Sequence, residues 1–249
     1  MRHSTRYRLN TFFSSSNFPN GVKWLLISNI GIFVATFLLA RDEFAIRGLF
    51  GWLALSPDHV LRGLRVWQLV TYLFLHGGIQ HLLFNMLALW MFGATLERDW
   101  GTRRFLKYYF LCGIGAGLCD VTVNALLGNW SASTIGASGA IYGVLLAFGV
   151  LYPEATILFL FIFPIQAKYF VMIVGAIALL GSVNINSGVS NVAHLGGMLF
   201  GLLYLKVRFP KLDTYEVRRW YRNYKMQRAK KKFQVYMRKH PTDRDPWVN

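Results

Sequence analysis

The chain alternates between long apolar runs and short breaks rich in charge, proline or glycine. Apolar length and bounding charges predict membrane spans at about 22–40, 79–96, 105–127, 138–152, 168–183 and 190–207. The second closes on Glu97-Arg98-Asp99, the third opens after Arg103-Arg104, and the fourth closes on Pro153-Glu154. Between the first two spans, 41–77 reads as a mixed loop holding Arg41, Asp42, Glu43, Asp58, Arg62 and Arg65. Its short apolar pieces, such as Ile46-Arg47-Gly48-Leu49-Phe50, suit a membrane interface. The stretch Ala155 to Ile165 is apolar but only 11 residues long, too short to cross, and reads as an interfacial or re-entrant connection. The first run, Trp24 to Ala40, exceeds the ~7–15-residue apolar region of a signal peptide and follows a long polar stretch, so it reads as a retained span. The expected architecture is an all-α membrane protein, a bundle of six transmembrane helices over 22–207. A cytosolic segment, 1–21, precedes it and a basic tail, 208–249, follows it.

Composition agrees with that reading. The chain is 54% hydrophobic and only 15% charged, whereas a soluble domain carries about a quarter charged residues. The net charge of +16 is unevenly placed, with fourteen Lys/Arg against four Asp/Glu from Lys206 onward. A nucleic-acid patch is one reading of that tail. A cytosolic anchor on anionic lipid fits better, because Trp220, Tyr221 and Tyr224 also suit a membrane surface, and no nucleic acid is expected as a partner. The two cysteines, Cys112 and Cys119, stand two helical turns apart, about 10 Å, too far to bridge each other.

Charge also orients the bundle. Seven spans would place the tail opposite Arg2, Arg6 and Arg8. Six spans put both termini on the side of Arg98, Arg103, Arg104, Lys107 and Lys168, while 128–137 and 184–189 hold no Lys or Arg. The positive-inside rule therefore selects six spans with both termini cytosolic, in the plasma (inner) membrane if the cell is bacterial.

Two segments carry candidate chemistry. The first is Gly136-Ala137-Ser138-Gly139-Ala140-Ile141-Tyr142-Gly143; the second is Ala193-His194-Leu195-Gly196-Gly197. A histidine within hydrogen-bond reach turns a serine into a nucleophile, and ionisable groups within spans are costly and functional by default. At 1.5 Å per residue, Ser138, His194 and Asn85 lie about 21, 20 and 18 Å above the cytosolic ends of their spans. Within a ~30 Å core those heights coincide, below the outer surface by up to ~10 Å. Small residues repeat every fourth position, Gly139-Gly143-Ala147 on the fourth span and Ala193-Gly197-Gly201 on the sixth. Such ribbons let helix backbones approach closely in lipid, and here each begins within one residue of Ser138 or His194. On the second span His81 and Asn85 share a face, two side chains able to line an oxyanion hole. A zinc helix is disfavoured, since His76 and His81 stand about 140° apart around a helix with no glutamate between them; neither metal nor cofactor is expected.

The ordered segments His76-Gly77-Gly78-Ile79-Gln80-His81-Leu82-Leu83-Phe84-Asn85, Gly136-Ala137-Ser138-Gly139 and Ala193-His194-Leu195-Gly196-Gly197 closely resemble the rhomboid family of intramembrane serine proteases. The resemblance covers about 22–207. It implies a six-span rhomboid-like bundle and a Ser–His dyad without a third acid. Ser138 would be the nucleophile and His194 the base. His81, Asn85 and the Ser138 backbone N–H would bind the oxyanion, with Gly136 and His76 supporting the pocket and Tyr142 packing on the His194 ring. Glu97 matches the family's acidic residue at the cytosolic end of the second span. One departure stands out: the family's first outer loop carries a Trp-Arg pair where this chain reads Trp67-Gln68, with Arg65 close by.

The expected activity is a serine endopeptidase that cuts transmembrane protein substrates in or beside their helices, within the lipid bilayer. A catalytically inactive relative that binds membrane clients is the alternative, and it is disfavoured because Ser138, His194, His81 and Asn85 are all present. A transporter would require inverted halves with matching broken helices, and the chain has no such symmetry. Asp120, alone in mid-span, could form a network with Asn124 or a functional polar site. No pattern in the chain sets an oligomeric state.

Overall fold

The computed structural model describes residues 18–39, 42–159, 163–182 and 190–208. Most of the 1–21 segment, the loop 184–189 and the tail from 209 on lie outside them. Residues up to Tyr204 form one compact unit, and of the second unit, Leu205–Asn249, only the residues to Arg208 are described.

Among the described residues, three helical stretches are long and apolar enough to cross a membrane: α1 (Asn20–Leu39), the stretch Ile79–Trp100, and α6 (Thr102–Leu126). Ile79–Trp100 comprises α4 (Ile79–Ala88), a π-helical turn over Leu89–Gly93, and α5 (Ala94–Trp100). Three shorter apolar helices follow, α7 (Ser138–Leu151), α8 (Ala167–Gly181) and α9 (Asn191–Arg208). Large apolar side chains point outward along them, among them Trp24, Phe37, Phe84, Met172, Leu180 and Leu199. Such an apolar surface suits acyl chains, and helices satisfy their own backbone polar groups there.

The chain is predominantly helical but not all-α. The short stretch after α7 folds back as an antiparallel hairpin, β1 (Thr156–Phe159) with β2 (Phe163–Gln166), Thr156 facing Gln166 and Phe159 facing Phe163. Pro153 and Pro164 interrupt helical hydrogen bonding at either end. Pairing the two arms satisfies backbone polar groups of both. The Ala167 N–H, at the start of α8, donates to the Ala155 carbonyl at 2.8 Å and closes the hairpin's base.

The 41–77 segment is more ordered than a mixed loop. It holds α2 (Glu43–Leu53), capped by the Asp42 carboxylate on the Phe44 and Ala45 N–H groups, and the short α3 (Gln68–Thr71). Gln68 is fully buried where the resemblance led to an arginine. Its amide nitrogen donates to the Gly51 and Trp52 carbonyls, and its oxygen accepts the Ser56 N–H, all at 3.2 Å. Arg65 adds a bond to the Gly51 carbonyl at 2.9 Å and lies over the Trp52 ring, which stacks on Trp67. The glutamine and the nearby arginine thus share the bracing of this loop.

Near the start of α1, buried Glu97 accepts the Gly21 and Val22 N–H groups, both at 2.7 Å, and the Thr102 hydroxyl at 2.6 Å. One carboxylate therefore satisfies free N–H groups at the start of α1 and ties them to the α5–α6 corner, the favourable place for a negative charge.

Candidate active site

Ser138 is the first residue of α7, so its N–H has no intrahelical carbonyl to meet. His194 lies one turn into α9 and is buried. The small-residue ribbons face each other, as the spacing predicts. A Cβ on Gly197 would overlap the Gly139 carbonyl, and one on Gly143 would sit 3.0 Å from the Gly197 carbonyl oxygen. That close approach brings His194 Nε2 to 2.8 Å from Ser138 Oγ. With its proton on Nδ1, the imidazole accepts the serine proton at Nε2. The Tyr142 ring stacks flat on the imidazole, centroids 4.0 Å apart and planes within 7°. Among the described residues His194 Nδ1 has no hydrogen-bond partner, and the Tyr142 stacking is the contact that orients the ring.

His81 and Asn85 converge on Gly136, two residues before Ser138. Gly136 has φ +118°, a conformation side chains rarely adopt, and a Cβ there would lie 2.6 Å from His81 Nε2 and 3.9 Å from Asn85 Nδ2. The Gly136 N–H donates to the Tyr72 carbonyl at 2.8 Å, which fixes the strand of backbone leading into Ser138. The Asn85 amide nitrogen is buried and has no acceptor among the described residues. A buried N–H left unpaired costs about 1–3 kcal/mol, so this donor is poised for an acceptor that arrives with a ligand. His76 is buried edge-on to the His81 ring, centroids 4.9 Å apart. Burial, and then the His81 ring, hold its imidazole down at about 4, so it is neutral at pH 7. Its contact with the pocket is this edge-on packing against the His81 ring.

All seven anticipated residues therefore fall around one locus. Sequence reasoning missed the polar partners behind it, Thr134 and Ser190, which both hydrogen-bond Asp120. The readable signal was position: Ser190 stands where a serine caps the helix that carries His194.

The Rhomboid domain pattern matches residues 63–211, which include every residue of this locus. The chain is 32% identical over 194 residues to the mitochondrial Rhomboid protein 1 of Saccharomyces cerevisiae, covering 75% of this chain and 54% of the yeast protein. It is 36% identical over 135 residues to Rhomboid protease GluP of Bacillus subtilis, covering 54% of this chain and 24% of that protein. It is 24% identical over 214 residues to Rhomboid-like protease 3 of Toxoplasma gondii, covering 86% and 78%. The match thus spans about half the length of the yeast relative and less of the bacterial one. A domain pattern over more than half of the chain, carrying the paired serine and histidine, means that this chain belongs to the rhomboid family, which includes intramembrane serine proteases.

Proposed function

We propose that this chain is an intramembrane serine endopeptidase, with a six-span core, both termini in the cytosol, and transmembrane proteins as substrates. The observation that carries the reading is the 2.8 Å approach of His194 Nε2 to Ser138 Oγ. Ser138 Oγ attacks the scissile carbonyl carbon while Nε2 takes its proton. The oxyanion that forms receives hydrogen bonds from the Ser138 N–H, the Asn85 amide and His81. The imidazolium then returns the proton to the leaving amine, and the acyl group stays on Ser138. A water molecule, deprotonated by the same imidazole, releases it as a carboxylate and restores the serine. Tyr142 holds the ring in plane throughout, a role that an acid fills in triads.

Asn85→Ala is expected to lower kcat by about 10²–10³-fold, the usual loss for one oxyanion donor, while KM changes little because the bond strengthens in the transition state. A change confined to KM, measured in steady-state kinetics, would assign Asn85 to substrate binding instead.

Ser138 lies at the outer end of α7 in the six-span reading, so a scissile bond has to be brought to it. A helical substrate hides its carbonyls in internal hydrogen bonds and must unwind first, which glycine or proline near its outer end makes easier. Cuts are expected near the outer ends of substrate spans, with small residues favoured at the cut. Mass spectrometry of products from a substrate panel tests this. Consistent cutting at cytosolic ends, or equal cutting of unfolded soluble protein, would overturn the reading.

A further inference from the structure

Asp120 lies in α6 with 1% of its surface exposed, and the chemistry above leaves it unused. A carboxylate only accepts hydrogen bonds, and a buried one needs donors. Three reach it. Asn124 Nδ2, one turn along α6, donates to Oδ1 at 3.2 Å; the Thr134 hydroxyl donates to Oδ2 at 2.7 Å; the Ser190 hydroxyl donates to Oδ1. Thr134 stands four residues before Ser138, and Ser190 four residues before His194. Each of these two is itself fixed. Thr134 pairs its backbone with Leu55, at 3.0 and 2.9 Å. Ser190 caps α9, its oxygen accepting the Ala193 N–H at 3.1 Å and its carbonyl the His194 N–H at 3.3 Å.

We propose that Asp120 is a positioning residue for the Ser138–His194 pair, one carboxylate that ties the loop entering α7 to the cap of α9. The proposal rests on reading that pair as the reactive centre. Gly139 and Gly197 set the helix separation just inside the site. Ser138 and His194 sit in the first turns, where N–H groups lack intrahelical partners and need outside support. Asp120, on a third helix, holds the hydroxyls of Thr134 and Ser190, the residues just ahead of both ends, at once. Asp120→Ala removes both links. Asp120→Asn keeps the shape and one acceptor oxygen, and the hydroxyls can rotate to accept from the amide, so it retains part of the tie. Thr134→Val removes one link and leaves the α9 cap in place.

The test uses the full chain in liposomes with a transmembrane substrate, together with hydrogen–deuterium exchange of the peptides over 129–137 and 190–196. Displacing a reacting atom by about 1 Å costs ~10²-fold. Asp120→Ala is expected to lower kcat by about that factor with KM nearly unchanged, Asp120→Asn to recover part of it, and Thr134→Val to lose nothing further in the Asp120→Ala background. Exchange is expected to rise in both peptides together in Asp120→Ala, but not in Ser138→Ala, which removes only the nucleophile. Wild-type kcat in Asp120→Ala, a loss confined to KM, or faster exchange in only one peptide would overturn the proposal. Should Asp120→Ala not fold, Thr134→Val and Asp120→Asn carry both readouts. Should the wild-type chain cut nothing, the protease reading fails, and the paired exchange response still decides whether Asp120 ties the two segments.

Discussion

Ser138→Ala is expected to abolish cleavage of a model transmembrane substrate, a fall on the order of 10⁴-fold or more, the scale of losing the nucleophile of a serine–histidine unit. The protein should stay folded. Ser138 is partly exposed, and among the described residues its side chain bonds only His194; losing that bond costs about 1 kcal/mol. His194→Ala is expected to fall as far, because an unassisted serine hydroxyl is a poor nucleophile at neutral pH. It should also cost more stability, since the imidazole stacks on Tyr142 and is buried. The double variant should be no worse than either single one, because the two side chains act as a unit. Thermal unfolding in detergent, run beside the cleavage assay, separates lost chemistry from lost fold. Near-normal turnover by folded Ser138→Ala would remove the serine from the mechanism.

Gly197→Val is expected to be nearly as damaging without touching a reactive group. A Cβ at Gly197 would occupy the place of the Gly139 carbonyl oxygen, a backbone atom that cannot swing aside as a side-chain tip can. The α7 and α9 backbones must then separate, and the 2.8 Å approach of Nε2 to Oγ opens with them. A shift of about 1 Å is worth ~10²-fold in rate, and lost packing between the helices adds to it. Gly143→Val should act in the same direction, since its Cβ would meet Cys112 Sγ at 2.5 Å. Gly31, on α1, has nothing within 4 Å of an added Cβ and serves as the control: Gly31→Ala should leave activity unchanged. Full activity and an unshifted melting point in Gly197→Val would mean that the two ribbons do not set the distance between Ser138 and His194.

The helices were legible because each span is a long apolar run with a charged or proline stop, and helical boundaries fall within a few residues of those stops. The pairing of Ser138 with His194 was legible for a different reason: the glycine spacing beside each residue defines a face, and two such faces have one close-packed solution. The hairpin was not legible. Apolar content says that 155–165 avoids water, but periodicity over eleven residues does not separate a strand from a short helix. The order within 41–77 was hidden too, because its bracing is shared by a buried amide, Gln68, and Arg65, whose partners are carbonyls and an N–H twelve to seventeen residues away. Asp120 stood out in the sequence as a lone mid-span charge, yet its partners Thr134 and Ser190 lie 14 and 70 residues distant, each in a polar stretch with no pattern of its own. Local periodicity reports which face of an element is buried; long-range polar contacts leave no periodic trace.

Labelling with a serine-reactive fluorophosphonate tests the central claim most directly, because only a serine activated by a base and steadied by oxyanion donors reacts readily with it. The purified full chain in liposomes is exposed to the probe, digested, and the adduct located by mass spectrometry. The account predicts one adduct, on Ser138, formed far more slowly in His194→Ala and in Asn85→Ala and absent in Ser138→Ala. An unlabelled wild-type chain, or an adduct that forms as fast in His194→Ala, would contradict it.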